Sequence, residues 1–392
     1  MSETSASTSI ELGQGTGPLR GVKVVEIAGI GPGPHACMLL ADLGADVIRV
    51  ERPGGQLLAG GAHNLLNRGR PSVALDLKNP EARATVLELV EGADVLVEGM
   101  RPGVMERLGL GPEDCAAVNE RLVYGRMTGW GQDGPLAQAA GHDMNYIAIT
   151  GTLFGLGQDK GKPHFPSNLV GDFGGGSTYL VIGILAALLE AKVSGRGQTV
   201  DAAIVDGTAS LNAMTAAFLA GGQFKEERAV NLLDGGAPFY DVYETSDGRH
   251  MSVGSLEPQF FAELVRLLGV EDRCPGQFEM ERWGEMRALF TDTFRSRTQA
   301  EWVEVFEGTD ACVAGIIPIS EAAEHPHMAA RGVFVTKDDL LQPTPAPRFS
   351  RTEATLTLPP SREAGEHTRA ALTAWGVADV DGLIERGVAV QV

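Results

Sequence analysis

The 392-residue sequence has few aromatic residues, few basic residues and few cysteines. Aromatic residues make up only 6% of it, so the core must be mostly aliphatic. Lysine and arginine number 32 against 51 acidic residues, and the net charge of −19 argues against nucleic acid as the main partner. The four cysteines are widely scattered without a Cys-x-x-Cys pair, which predicts free thiols in a reducing compartment and no zinc ribbon.

Targeting, membrane and metal signals are missing as well. Residues 1–17 are rich in Ser, Thr, Gly and Glu and have no basic or apolar stretch, so we predict a disordered tail and not a signal peptide. We expect no helix long enough to span a bilayer. The C-terminal Val390-Gln391-Val392 is not a peroxisomal address, and His325-Pro326-His327 has no acidic or thiolate partner at metal-ligand spacing. These observations predict a cytoplasmic protein without membrane or metal partners.

What the chain does contain is enough apolar sequence, 43%, to form two domains. Apolar segments that read as strands alternate with helical patterns as far as residue 221, which predicts a parallel sheet with helices on both faces. A hairpin pattern and amphipathic helices then predict a smaller α+β domain. The expected divisions are a tail over 1–17, a large α/β domain over 18–221, a linker over 222–237, a small domain over 238–328, and a return segment with C-terminal helices over 329–392.

Two short stretches carry candidate acid–base residues. His142 and Asp172 each stand where a helix is predicted to begin, on either side of a Gly- and Pro-rich loop. Asp172 suits an N-cap, and the glycines at 174–176 would let another molecule approach the backbone near a helix end that favours an oxyanion. His142 is a second proton carrier near neutral pH. The alternative is that Asp172 is only a cap and His142 a structural histidine.

A glycine-rich turn at 29–34 follows the first predicted strand, and Glu51 ends the second, as in a dinucleotide-binding fingerprint. Pro34 replaces the third glycine and has no N–H to offer a pyrophosphate. A compact strand-to-helix turn is therefore favoured over a nicotinamide site.

Three cations follow predicted strands, where ligands of parallel sheets bind: Arg52, Lys78 and Arg101. They would suit phosphates, although single exposed charges on loops are the alternative.

Together the motifs resemble the family III coenzyme A transferases, and within that superfamily the racemases that act on α-methylacyl-CoA. The segments that carry the resemblance are Glu26 to Pro34, Ala41 to Val47, Arg101 to Val104, Met127 to Gln132, and the His142 and Asp172 stretches, within a similarity from about residue 18 to about residue 350. The resemblance implies a Rossmann-like large domain, a small domain and two interlocked subunits. It also implies interconversion of the R and S forms of 2-methylacyl-CoA in lipid metabolism, without metal or nicotinamide, coenzyme A being part of the substrate.

The resemblance also assigns residues. His142 and Asp172 correspond to the acid–base pair that flanks the α-carbon, and Glu257 to a small-domain carboxylate that pairs with the histidine across the dimer interface. The expected coenzyme A contacts are Arg52, Leu75, Asp76, Leu77, Lys78, Gly99, Met100, Arg101, Arg107, Gly141, Asp143, Met144, Asn145 and Tyr146.

Three other functions stay open at this point. In a CoA transferase of the same fold, the residue matching Asp172 would be a nucleophile that carries covalent intermediates. The histidine at 142 looks like the racemases and not like the transferases. A nicotinamide dehydrogenase is disfavoured by Pro34, and a non-catalytic binding protein would not need His142, Asp172 and Glu257 together.

Overall fold

A computed structural model describes residues 10–55, 63–158 and 161–392 of the chain. The chain divides into two compact units. Of the described residues, the first unit comprises 10–55, 63–150, 166–211 and 331–392, and the second comprises 151–158, 161–165 and 212–330. Each unit has its own hydrophobic core.

The first unit is built on a seven-stranded sheet. In order along the chain its strands are β1 (Lys23–Ile27), β2 (Asp46–Glu51), β3 (Ser72–Leu75), β4 (Val95–Glu98), β5 (Val123–Thr128), β6 (Thr199–Ala203) and β12 (Ala389–Val390). Their order in the sheet is β12-β3-β2-β1-β4-β5-β6, and all neighbours are parallel except β12, which is antiparallel to β3. The strand order reverses between β1 and β4, which is where ligands bind in doubly wound folds.

Helices cover both faces of this sheet, as predicted. Those of the first unit are α1 (Pro32–Asp42), α2 (Pro80–Glu91), α3 (Val104–Arg107), α4 (Pro112–Val118), α5 (Asp143–Ile149), a π-helical segment (Leu169–Ser177), α7 (Thr178–Ser194), α8 (Ile204–Leu211), α15 (Thr368–Ala374) and α16 (Val380–Glu385). Val24 of β1 packs in the core on one face and Val25 in the core on the other, because successive side chains of a strand point to opposite faces. Strands buried on both faces therefore appear in the sequence as continuous apolar runs.

The second unit is an α+β assembly around a three-stranded antiparallel sheet. The strands are β7 (Tyr240–Glu244), β8 (His250–Gly254) and β9 (Val313–Gly315), in the order β7-β8-β9. The helices are α6 (Thr152–Gly155), α9 (Ala213–Ala220), α10 (Pro258–Leu268), α11 (Trp283–Phe294), α12 (Gln299–Phe306), α13 (Ile319–Ala322) and, at the end of the unit, α14 (Pro326–Arg331). Phe290, Phe294 and Trp302 lie in its core, so the few aromatic residues are concentrated here. The predicted α/β class with a smaller α+β part is confirmed.

Local features depart from the sequence predictions in three places. The return segment 329–392 contains an antiparallel hairpin that was not predicted, formed by Phe334–Lys337 (β10) and Leu340–Pro343 (β11). The C-terminal segment ends in the edge strand β12, which is too short to show a periodic pattern. Of the predicted disordered tail, residues 1–9 lie outside the described residues. Residues 10–17 are packed, since the N–H of Gly13 donates to the carboxylate of Asp46 at 2.9 Å.

The helix around residue 172 also differs from expectation. The π-helical segment runs directly into α7, giving a continuous helix of 26 residues from Leu169 to Ser194. By length and composition it could cross a membrane, with a mean hydropathy of 1.5 in an 18-residue window, so the expectation that no helix is long enough was wrong. Of that window 39% is buried, and Leu180 and Ile184 pack in the sheet core, as in the core helix of an α/β domain.

Candidate active site

A cavity of about 670 Å³ opens in the first unit at the carboxyl ends of β1, β4 and β5. Its wall is formed by the turns that follow these strands, 29–34, 99–102 and 129–130, together with His142 and Asp172. The cavity therefore lies where the strand order of the sheet reverses. It brings together the two residues that the sequence singled out as proton carriers.

His142 occupies the position just before α5. Its backbone N–H donates to Oδ1 of Asn145 at 3.1 Å, which satisfies a donor at the helix start. The preceding carbonyl, that of Gly141, accepts a hydrogen bond from the hydroxyl of Tyr146. The ring of Tyr146 packs edge-on against Trp130, with centroids 4.7 Å apart. The backbone on both sides of His142 is thus fixed while its side chain stays exposed at the cavity.

Asp172 lies inside the π-helical segment and is not its N-cap, so that prediction was wrong. The segment begins at Leu169, and the carboxylate of Asp172 accepts from Nδ2 of Asn168 at 3.1 Å. Burial raises the pKa of Asp172, the Asn168 hydrogen bond lowers it, the nearby charge of Asp143 raises it and His142 lowers it, with a net shift upward. A carboxyl with a raised pKa can take up and release a proton closer to neutral pH than an ordinary aspartate.

The glycine-rich turn at 29–34 lies against the side chain of Asp172. Gly31 has a φ of 66°, in the left-handed region, and a Cβ there would lie 3.1 Å from Oδ2 of Asp172. The end of this turn is held by Arg70, which is fully buried. Arg70 donates to the carbonyl of Pro34 at 2.7 Å and pairs with Glu26 at 3.0 Å. The turn is therefore a fixed wall beside the carboxylate.

The glycine triplet after Asp172 was expected to admit another molecule, but it packs against protein. A Cβ on Gly175 would lie 2.6 Å from the backbone nitrogen of Thr208, and one on Gly207 would lie 1.9 Å from the carbonyl oxygen of Gly175. Gly176 faces Ile204 and Pro32 in the same way. The glycines allow the π-helical segment to pack closely on α8, which places Asp172 at the cavity.

An ion-pair chain, buried at Glu98 and Arg126 and exposed at Glu106, holds the loop after β4. Glu98 accepts the N–H of Met100 at 2.6 Å and pairs with Nε of Arg126 at 3.0 Å. Nη1 of Arg126 in turn pairs with Glu106 at 2.8 Å. The loop 99–102, which presents Arg101 to the cavity, is thereby tied to β5 and α3.

Seven of the residues assigned from the sequence line the cavity: Gly99, Met100, Arg101, Gly141, His142, Tyr146 and Asp172. The others lie elsewhere. Leu75 is buried in the core and Leu77 packs on it, whereas the exposed residues are Arg52, Asp76, Lys78, Arg107, Met144, Asn145 and, in the second unit, Glu257. Asp143 is buried and accepts the backbone N–H of Asp172. Trp130 and Asn168 also line the cavity but were given no role from the sequence, although Trp130 lies in a segment that carries the family resemblance.

The nicotinamide alternative does not fit this site. Glu51, which a ribose would need, is 7% exposed, accepts from the Ser72 hydroxyl at 2.6 Å and pairs with Arg49 at 3.3 Å. Within the described ranges, no group of three or more His, Cys, Asp or Glu side chains is arranged to hold a metal ion.

Comparison with known proteins identifies the family. The family model for CoA-transferase family III matches residues 19–368. The chain is 44% identical over 360 residues to the alpha-methylacyl-CoA racemase of Mus musculus and 42% identical to that of Homo sapiens, covering 91% of this chain and 93% of each relative. It also resembles the crystal structure of a CaiB/BaiF family protein from Brucella suis, with a TM-score of 0.76, 27% identity and coverage of 91% of this chain and 99% of that one. The chain belongs to CoA-transferase family III.

Proposed function

We propose that this protein is an acyl-CoA racemase that interconverts the R and S forms of 2-methylacyl-CoA thioesters. The observation that carries the proposal is the presence of His142 and Asp172 on the wall of one cavity at the carboxyl ends of the sheet. The similarity to two alpha-methylacyl-CoA racemases supports the choice of substrate. Coenzyme A belongs to the substrate, and the proposed reaction needs no further cofactor.

The chemistry is a transfer of one proton off the α-carbon and another onto it. The thioester carbonyl makes the α-hydrogen weakly acidic, so one of His142 and Asp172 removes it and leaves an enolate. The other residue then delivers a proton to the opposite face, which inverts the centre. Asp172, whose pKa is raised by burial and by the nearby Asp143, suits this exchange because both its protonated and its ionised forms are needed.

The enolate needs a partial positive charge close to its oxygen. The sequence pointed to the backbone N–H groups around Asp172, but the N–H of Asp172 donates to Asp143 and that of Phe173 to the carbonyl of Asn168. The amino end of α1, where Gly31 to Gly33 border the cavity, is the better candidate, because a helix of 11 residues places a partial positive charge there.

We further propose that the active form is a homodimer with interlocked subunits. Glu257, exposed just before α10, would pair with His142 of the other subunit, orient its ring and stabilise its protonated form. Arg101 at the cavity and the exposed Arg52, Lys78 and Arg107 would bind the phosphates of coenzyme A.

The second candidate is a CoA transferase, the activity for which the matching family is named. In that reaction the ionised carboxylate of Asp172 attacks the thioester and carries the acyl group and then the coenzyme. The carboxylate of Asp172 could serve in either reaction, but a transferase would leave His142 at the cavity without a role.

The two candidates differ in their need for an acceptor acid. With a single enantiomer of 2-methylacyl-CoA and no free carboxylic acid, the racemase loses enantiomeric purity until both forms are equal, as chiral chromatography would show. A transferase leaves the enantiomer unchanged and moves coenzyme A only once an acid is added. The second result, with the wild-type chain, would replace the racemase proposal by the transferase.

A further inference from the structure

Asp143 is a buried carboxylate that takes no direct part in the proposed proton transfer. It is 6% exposed and does not line the cavity, although it directly follows His142 in the chain. Its Oδ1 accepts the backbone N–H of Asp172 at 2.7 Å. Its Oδ2 is buried and has no hydrogen-bond partner among the described residues. A half-satisfied buried carboxylate is costly, so its retention calls for a reason.

The approach of Asp143 to Asp172 depends on a glycine. Gly171 is buried, and a Cβ there would lie 2.4 Å from Oδ1 of Asp143 and 3.0 Å from Cγ2 of Ile147. The packing between α5 and the π-helical segment is therefore fitted to this carboxylate. A side chain at position 171 would push Asp143 away from the N–H of Asp172.

We propose that Asp143 is a positioning residue of the reaction, whose buried carboxylate fixes the backbone of Asp172 and keeps a negative charge beside the Asp172 carboxyl. The hydrogen bond connects α5, which begins directly after His142, with the π-helical segment, which contains Asp172. The negative charge strengthens proton binding at Asp172. This inference rests on the proposed function for its catalytic meaning.

Burial is the largest cause of the raised pKa of Asp172, and the charge of Asp143 adds to it. From α5, Asp172 faces His142, Asp143 and Tyr146, and from its own segment the neutral amide of Asn168. Just before α1 it faces the backbone of Gly31, and the ring of His35 in α1 is stacked on the neighbouring Phe173 with ring centroids 4.4 Å apart. Asp143 is thus the one carboxylate among these neighbours, and its charge raises the pKa of Asp172, as burial does.

The test uses Asp143→Asn, whose side-chain oxygen can still accept the N–H of Asp172 while the charge is removed. Asp133→Asn, which removes an equal charge from an exposed loop residue, is the matched control. The protonation of Asp172 is followed by 13C NMR in protein with labelled aspartate, the signal being assigned by its loss in Asp172→Asn. We expect the midpoint to fall by about 1 pH unit in Asp143→Asn and to stay in place in the control. A midpoint that moves no more than in the control would overturn the electrostatic role.

The backbone role is tested separately with Asp143→Ala, which removes the acceptor as well. At a pH where the rate is at its plateau, we expect α-proton exchange to be about tenfold slower than in Asp143→Asn. Equal plateau rates in the two variants would refute the positioning role. The NMR titration does not depend on enzymatic turnover. If the wild-type protein had no racemase activity, the proposed function would be wrong, but the titration would still show whether Asp143 raises the pKa of Asp172.

Discussion

At the scale of single residues, the candidate site depends on glycines whose neighbours leave no space for a side chain. Gly31 is one of them, because its φ of 66° is strained for any other residue and Oδ2 of Asp172 lies 3.1 Å from where a Cβ would stand. The glycine thus has two tasks, a turn conformation and space for a carboxylate. From the sequence, a compact strand-to-helix turn was favoured over a pyrophosphate site, but the contact of this turn with Asp172 was not predicted.

The two tasks of Gly31 can be separated with a matched glycine. Gly387 has a φ of 69° and nothing within 4 Å of its Cβ position. We expect Gly31→Ala and Gly387→Ala to lower the free energy of unfolding by about 1–2 kcal/mol each, measured by urea denaturation. Only Gly31→Ala should also slow racemisation, by about tenfold or more, because it displaces Asp172. Equal activity of the two variants would show that Gly31 matters for the turn alone.

At the scale of secondary-structure elements, the π-helical segment decides where Asp172 lies. Such wide turns occur often at functional sites, and here the segment packs backbone to backbone on α8 through Gly175 and Gly207. The hydroxyls of Ser177 and Thr178 both donate to the carbonyl of Phe173, at 3.0 and 2.8 Å. Side chains thereby satisfy a carbonyl in the irregular turn.

Filling the contact between these elements should disturb both stability and activity. In Gly175→Ala the new methyl group would meet Thr208, so we expect a loss of about 1–3 kcal/mol in the free energy of unfolding together with a slower reaction. The control is Gly284→Ala in α11, where nothing lies within 4 Å and the substitution should stabilise the helix by about 0.5–1 kcal/mol. Urea denaturation and the racemisation rate report the two effects. A neutral Gly175→Ala would contradict the close packing.

The elements also show what the sequence could and could not predict. The parallel strands β1 to β5 were predicted because strands buried on both faces leave apolar runs in the sequence. The start of the π-helical segment was missed because a π turn has no periodic signature. The hydrogen bond between Asp143 and Asp172 was missed because its donor is a backbone N–H, which sequence spacing does not reveal.

At the scale of the whole molecule, the proposed dimer makes a prediction about mixtures. If Glu257 of one subunit serves His142 of the other, a mixed dimer of His142→Ala and Glu257→Gln subunits has one intact site and one doubly altered site. Co-expression should therefore restore about a quarter of the wild-type activity from two variants that are each nearly inactive, since half of the dimers are mixed. Activity no higher than that of the separate variants would mean that the pair lies within one subunit or does not form.

In the proposed mechanism, His142 and Asp172 act on opposite faces of one α-carbon. The most direct measurement is to incubate His142→Ala and Asp172→Asn in D2O, each with the R and the S enantiomer of a 2-methylacyl-CoA, and to follow the α-position by NMR and chiral analysis. Each variant should exchange the α-proton of one enantiomer without inverting it, and the two variants should select opposite enantiomers. If either variant still racemises the substrate at the wild-type rate, or if both exchange the same enantiomer, the two-base assignment is contradicted.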